Sequence, residues 1–392
     1  MILRLILILA ALFLYLPVHG QEADLEDLVL GCSIDRAMGD AIDSGLINGG
    51  VVFIGDSSGE LFLHSYGHLS PASDAPEIEQ DTVFDLASLT KVLATAPSVM
   101  KLVEEGRVGL HDPLTIWFPE FVGTGKDTIQ VFHLLTHTSG LVDFSFSGCK
   151  TMQGVVEKTA FLDVPAKPGD KFKYADINFI LLGELVRRVS GFELDRYALE
   201  NFYVPLGMSD TRFSPSEELR KRCASTRIAD NSLLYGTVQD PNARALGGVA
   251  GHAGLFATAA DLSRFCRMLL GGGEFAGKRV MTDRTVRQMS SPSFTHGNAV
   301  IRGLGWDILS PYSSPRCNRF SCASFGHTGY SGCSIWIDPD LNLFVGILVS
   351  RNDYRRIGDF NHLRGTISTL AANLFSKPTQ RKCRENLAQD IR

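Results

Sequence analysis

The sequence predicts an α+β fold: one antiparallel sheet built from both ends of the chain, flanked by helices, with a mainly helical part inserted between them. Two patterns predict it. Apolar, β-branched and aromatic runs gather near the ends, at Gly49–Asp56, Glu60–Tyr66, Ala323–Thr328, Gly332–Asp338 and Leu343–Ser350. The long middle has helical periodicity instead, at Val131–Leu135, Ile177–Val189 and Ala260–Leu270, between loops rich in glycine, proline and aspartate. One sheet covered by helices is the economical way to bury both kinds of segment.

The elements follow in order. The first two runs surround Ser57-Ser58-Gly59 and read as a β-hairpin. Asp85 to Ala94 reads as a helix opening just before Ser88, which Pro97 should kink or break. Pro339-Asp340 supplies the turn between the last two strands, and Phe360 to Phe375 is amphipathic through Leu363, Ile367, Leu370 and Leu374. The sheet-bearing part then covers about 30–110 and 320–376, and the helical part about 111–319, within one unit spanning 21–392. A pocket is expected at their junction.

Composition narrows the classes. With 392 residues, 44% hydrophobic and 21% charged, the chain can bury a large core. Its net charge of −5, with no basic run, argues against nucleic acid and against electrostatic attachment to a membrane. Residues 1–20 read as a signal peptide: Arg4, an apolar stretch from Leu5 to Leu16, Pro17, then Val18-His19-Gly20 at the cleavage positions. The apolar stretch is shorter than the roughly 20 residues of a spanning helix. A secreted or periplasmic protein without a stable span is expected. Eight cysteines follow, and an even count in an exported chain permits disulfides. Cys317 and Cys322 bracket a short polar loop and are the best pair, whereas Cys266 sits in an apolar helical pattern and reads as a buried thiol. The spacings do not resemble a zinc ribbon.

Four short segments carry chemistry: Ser88-Leu89-Thr90-Lys91, His137-Thr138-Ser139-Gly140, Tyr174-Ala175-Asp176 and His327-Thr328-Gly329. Ser-x-x-Lys occurs three times, but Ser98/Lys101 follows Pro97 and Ser147/Lys150 lies in a flexible Ser/Gly loop. On a helix, the three-residue step puts Lys91 on the face of Ser88, where its amine can reach the hydroxyl. An ordinary lysine, with a pKa of about 10.4, is a poor base at neutral pH, so burial or help from Tyr174 must make it competent. Tyr174 stands in a loop at a helix start. His327-Thr328-Gly329 ends a predicted strand, whose edge can hold an extended substrate while Gly329 permits close approach. The Tyr330 N–H could pair with that of Ser88 as an oxyanion hole.

These motifs, with Phe84-Asp85-Leu86-Ala87, Leu134–Leu141 and Gly247–Gly254, resemble the serine β-lactamase and penicillin-binding-protein-like family, in its class C β-lactamase-related branch. The resemblance runs from about Asp35 to Phe375. It implies the β-lactamase/transpeptidase-like fold, with Ser88 as acylated nucleophile, Lys91 as its base partner and Tyr174 as proton shuttle. Asp176, His327, Thr328, Gly329 and Tyr330 would bind substrate. It implies no cofactor and no metal. The expected partner is a small ester or peptide, such as a cell-wall peptide.

Two positions depart from that pattern. His327 stands where many members carry Lys, so a permanent cation is replaced by a group titrating near about pH 6.5, and affinity for a carboxylate substrate should fall between about pH 5.5 and 7.5. Asp176 stands where the family has Asn; a carboxylate only accepts, so it could steady Lys91 or meet a substrate ammonium. Both argue against efficient β-lactam hydrolysis and leave esterase or D-Ala-D-Ala carboxypeptidase-like activity open. A non-catalytic cell-wall peptide-binding protein on the same fold is the alternative. A metal hydrolase built on His133 and His137 lacks the Glu base beside the first histidine. Gly247–Gly254 reads as a close-packed loop beside the site, with His252 facing the pocket in no assigned role.

Overall fold

The computed structural model describes residues 19–375, apart from 150, 229, 298, 314 and 315. Most of the expected signal peptide, Lys150 and Cys383 lie outside the described residues.

The sheet has eight strands, all paired antiparallel: β1 Ile47–Gly55, β2 Glu60–Gly67, β3 Phe294–His296, β4 Val300–Arg302, β5 Asp307–Leu309, β6 Phe325–Thr328, β7 Ser334–Asp338 and β8 Leu343–Arg351. Their order across the sheet is β3-β4-β5-β6-β7-β8-β1-β2. The hairpin and the three C-terminal strands stand where the apolar runs predict. Strand β1 joins the two ends, with Ile47 opposite Arg351 and Gly55 opposite Phe344. The short strands β3–β5 add to the sheet from a stretch that the sequence reads with the helical part; runs of three residues give no usable periodicity.

Both faces of the central strands are buried, so they read as continuous apolar runs. Along β1, Val51 and Phe53 enter the larger core while Val52 and Ile54 enter a second core on the opposite face. That second core is closed by helix α1, His19–Asp43, and by the C-terminal helix α6, Ile357–Phe375, through Ile34, Met38, Phe360 and Ile367. The larger core packs α2 Ala96–Glu104, α3 Val131–Leu135, α4 Asp176–Ser190 and α5 Ala259–Leu270.

Two local expectations are corrected. Ser88 does not open an α-helix. A 3₁₀ turn, Ala87–Leu89, is followed by a π-helical turn, Lys91–Thr95, and only then by α2, with Pro97 in its first turn. The α-helical pairing is interrupted by the π-helical turn just before Pro97, as expected of a residue that has no N–H to donate. Cys317 does not pair with Cys322. It is a free thiol, buried in the second core and accepting the Arg319 N–H at 3.2 Å. Cys322 is in a disulfide. Cys266 is the buried thiol expected, its pKa raised by burial.

Candidate active site

The nucleophile turn is held from three sides. Ala87 has a φ of 45°, a conformation that side chains rarely adopt, and its N–H donates to the Asp85 carboxylate at 2.9 Å. Asp85 also accepts the Gln239 N–H at 2.7 Å, and burial pushes its carboxyl up to about 6. From the sheet, Ser331 Oγ donates to the Asp85 carbonyl at 2.6 Å. From the strand Leu255–Ala257, the Leu255 carbonyl accepts the Leu86 N–H at 3.0 Å, and its N–H donates to Thr90 Oγ1 at 3.1 Å. Gly329 touches the same turn: a Cβ there would stand 2.5 Å from the Leu86 carbonyl oxygen. The end of β6 thus lies directly against the turn that presents Ser88.

Lys91 is fully buried among polar partners. Its Nζ lies 2.9 Å from Ser88 Oγ, 2.7 Å from Asp176 Oδ1 and 3.2 Å from the His252 carbonyl oxygen. Burial alone would lower its pKa, but Asp176 and then Tyr174 outweigh it and hold the ammonium above its ordinary value. The lowered pKa expected of a base is therefore not what the fold provides. Asp176 takes the steadying position, and Lys91 with His252 holds its carboxyl below the usual range against the cost of burial. Asp176 starts α4, whose N-cap residue, Ala175, has no capping side chain. Asp143 supplies that bond, accepting the Ile177 N–H at 2.9 Å.

Tyr174 brings its hydroxyl within reach of both Ser88 and Lys91. His137 clamps it. The His137 ring stacks on the Tyr174 ring at 4.3 Å, its carbonyl accepts the Lys173 N–H at 2.9 Å, and its Nδ1 accepts the Ala175 N–H at 3.2 Å. Both neighbours of Tyr174 are thus tied to one residue. His137 has a φ of 56° and lies beyond the end of α3, so it shares no helix face with His133, whose Nδ1 accepts the Gln130 N–H instead. Burial pushes the Tyr174 phenol up, against the pull of the Lys91 charge.

His327 faces the same space, its ring 6.1 Å from that of Tyr174. Burial, then the charges of Arg302 and Lys91, hold its pKa well below the ordinary value. The ring is therefore neutral at physiological pH. Its Nδ1 lies 2.8 Å from the Thr328 carbonyl, which requires a proton on Nδ1 and leaves Nε2 an acceptor. A ring held neutral would leave no change in affinity to be seen between about pH 5.5 and 7.5. Thr328, Gly329 and Tyr330 line the same cleft as Ser88, Tyr174, Asp176 and His327, with Lys91 behind Ser88, so the residues expected to act on or bind substrate converge here.

Several lining residues escaped the sequence. The cleft has a volume of about 1440 Å³. Arg302 lies in its wall, fully buried and paired with Asp307 at 3.0 Å. Tyr312, 48% exposed, packs on Tyr174 at 5.1 Å. Asp240 meets His252 Nε2 at 2.8 Å. Asp176, Asp240 and His252 are the one grouping among the described residues with enough ligand atoms for a metal, all within 4.8 Å of one another. The Lys91 ammonium already supplies a cation to Asp176. No spacing rule could have found Arg302 or Asp240, because the fold alone brings them to Ser88.

The arrangement matches the Beta-lactamase family over residues 34–364. The chain belongs to that family. It is a β-lactamase-family serine hydrolase with the β-lactamase/transpeptidase-like fold. Among its relatives is a Salmonella agona protein provisionally named D-alanyl-D-alanine carboxypeptidase, 30% identical over 308 residues, which are 69% of this chain and 70% of that one. Solved structures share the fold. EstCE1, described as a hydrolase with promiscuous acyltransferase activity, superposes with a TM-score of 0.73 at 21% identity, over 88% of this chain and all of that one. A class C β-lactamase gives 0.73 at 17% identity, over 86% and 95%. Simvastatin synthase from Aspergillus terreus gives 0.67 at 22% identity, over 87% and 97%.

Proposed function

We propose that this β-lactamase-family chain is a secreted serine hydrolase that forms an acyl-enzyme at Ser88 with an ester or a D-amino-acid peptide, and that it hydrolyses β-lactams poorly. One observation carries the reading: Lys91, held by Asp176, reaches Ser88 Oγ at 2.9 Å, with the Tyr174 hydroxyl beside both, in an open cleft of about 1440 Å³. Ser88 Oγ attacks the carbonyl carbon as its proton moves onto the Tyr174 oxygen and the phenol's own proton moves on to the leaving group, so Tyr174 is neutral before and after. The oxyanion is held by the Ser88 and Tyr330 N–H groups. In deacylation the relay runs in reverse with water as the nucleophile: the water proton moves onto the Tyr174 oxygen, the phenol's own proton returns to Ser88 Oγ, and the acid is released. Lys91 remains an ammonium and stabilises charge on Oγ and on the phenol.

The neutral His327 supports the poor use of β-lactams, since it offers an acceptor where a substrate carboxylate would need a cation. Thr328, Gly329 and Tyr330 hold the substrate along the end of β6. The relative provisionally named D-alanyl-D-alanine carboxypeptidase supports the peptide arm, and the hydrolase EstCE1 is consistent with the ester arm. Residues 1–20 and the Cys322 disulfide support export.

The test is the intact mass of the protein after fluorophosphonate and, separately, benzylpenicillin, beside Ser88→Ala. A fluorophosphonate adduct on the wild type alone is expected, with hydrolysis of a short-chain nitrophenyl ester abolished in Ser88→Ala. A rapidly turned-over penicillin would overturn the substrate assignment. No adduct from either reagent would favour the peptide-binding alternative.

A further inference from the structure

The site continues one layer deeper than Lys91. One of the acceptors around its Nζ is the backbone carbonyl of His252, a residue only 1% exposed. The His252 ring lies between two carboxylates. Its Nε2 is 2.8 Å from Asp240 Oδ1, and the ligand atoms of Asp176, Asp240 and His252 all fall within 4.8 Å. His252 Nδ1 is buried and meets no partner among the described residues, so its contact with Asp240 orients the ring. Asp240 is itself fixed: it caps the helix Pro241–Ala245, accepting the Ala243 N–H at 2.7 Å. The contacts thus run from a helix cap to His252, whose ring meets Asp240 and whose backbone carbonyl meets the ammonium beside the nucleophile.

We propose that Asp240 and His252 are a positioning pair for Lys91, setting where the His252 carbonyl and the Asp176 carboxylate meet the ammonium and hence how fast Ser88 is acylated. This rests on the Ser88 reading above. Neither residue contacts Ser88 in the structure; both act through Lys91. The charged groups facing His252 are Asp240 from the helix cap, Asp176 from α4 and Lys91 from the π-helical turn. Asp240 holds its negative charge firmly, its pKa brought down to about 2 by His252 and by the Ala243 N–H despite burial.

The experiment compares wild type, Asp240→Asn, His252→Ala, the double variant and His252→Gln, whose amide can still donate to Asp240. Each is followed by the rate of fluorophosphonate labelling and by kcat and KM for a nitrophenyl ester. The expected result is a 10- to 100-fold fall in labelling rate and kcat for Asp240→Asn and for His252→Ala, with KM within about twofold. The double variant is expected to be no slower than the worse single one, because the two act as a unit. His252→Gln should recover most of the rate. Unchanged labelling, multiplying effects, or a rise in KM at constant kcat would overturn the pair. If His252→Ala does not fold, Asp240→Asn and His252→Gln decide alone. Failure to label the wild type would overturn the nucleophile and the pair together, whereas a labelled wild type with indifferent variants would overturn the pair only.

Discussion

At Lys91, two opposed effects meet and one wins. Burial of an ammonium is costly, yet Asp176 at 2.7 Å and two further acceptors keep the charge in place. Asp176→Asn should leave that charge unpaired. A stability loss of about 3 kcal/mol in chemical denaturation and a fall of about 100-fold in acylation are expected. An unaltered midpoint would mean Lys91 sheds its proton at no cost. His327 gives a second test: because its pKa is pushed well down, the affinity for a carboxylate-bearing peptide should be flat from pH 5.5 to 7.5, and a steep fall across that range would show an imidazolium. At this scale Ser88, Lys91 and Tyr174 were legible because Ser-x-x-Lys, Tyr-x-Asp and His-Thr-Gly stand in one order along the chain. Asp240 and Arg302 were not. His252 was noticed, but its contact with Lys91 is made by a backbone carbonyl, which no side-chain pattern encodes.

Among the elements, the turn carrying Ser88 and the loop Gly247–Gly254 depend on each other. Gly251 lies so close to α4 that a Cβ would stand 1.9 Å from the Phe179 carbonyl oxygen. Its own carbonyl accepts from Thr95 Oγ1 at 2.6 Å. Gly251→Ala should therefore push His252 away from Lys91. A loss of about 1–3 kcal/mol is expected together with a fall in labelling rate, whereas Gly247→Ala, where a Cβ would meet nothing within 4 Å, should be milder on activity. Gly247 has a φ of 82°, which alone strains an alanine, so the labelling rate decides: equal falls in it would count against the close approach. The glycine-rich text announced a packed loop, but not what it packs against. The helix expected at Ser88 was misread for a related reason. The bonds from Thr90 to Leu255 and from Thr95 to Gly251 span 165 and 156 residues, and local periodicity cannot register them.

For the whole molecule, acid is the revealing variable. His137 and His327 are both buried with pKa values held well down, and the buried charge of Arg302 acts on both. An unfolded chain takes up protons at these positions below about pH 6.5 and the folded one does not. Their contribution to stability is therefore present above that pH and lost as pH falls. Asp85, raised to about 6, works the other way by protonating first in the folded state. Two histidines outweigh this one carboxyl, so stability falls as pH drops from about 6.5 to 5. Calorimetry at several pH values should show the melting temperature falling across this window; a constant value would mean that one of the histidines is charged in the fold. The architecture itself was legible because strands at both ends of the chain have few ways to share a core. The three short strands β3–β5 were hidden by their length, and the thiol of Cys317 by a core that only the fold reveals.

The joining of β1 to β8 has a consequence for the growing polypeptide. The pairing runs from Ile47 to Arg351, and the carbonyl of Asp85 waits for Ser331, 246 residues away. Ser88 and Lys91 leave the ribosome early, but what holds them leaves late. A nascent or truncated chain thus carries the reactive sequence without the reactive geometry, and its first hairpin must wait unpaired on one edge for most of synthesis. Hydrolytic competence is in this sense timed by translation: it arrives only when the final strand slides in beside the first.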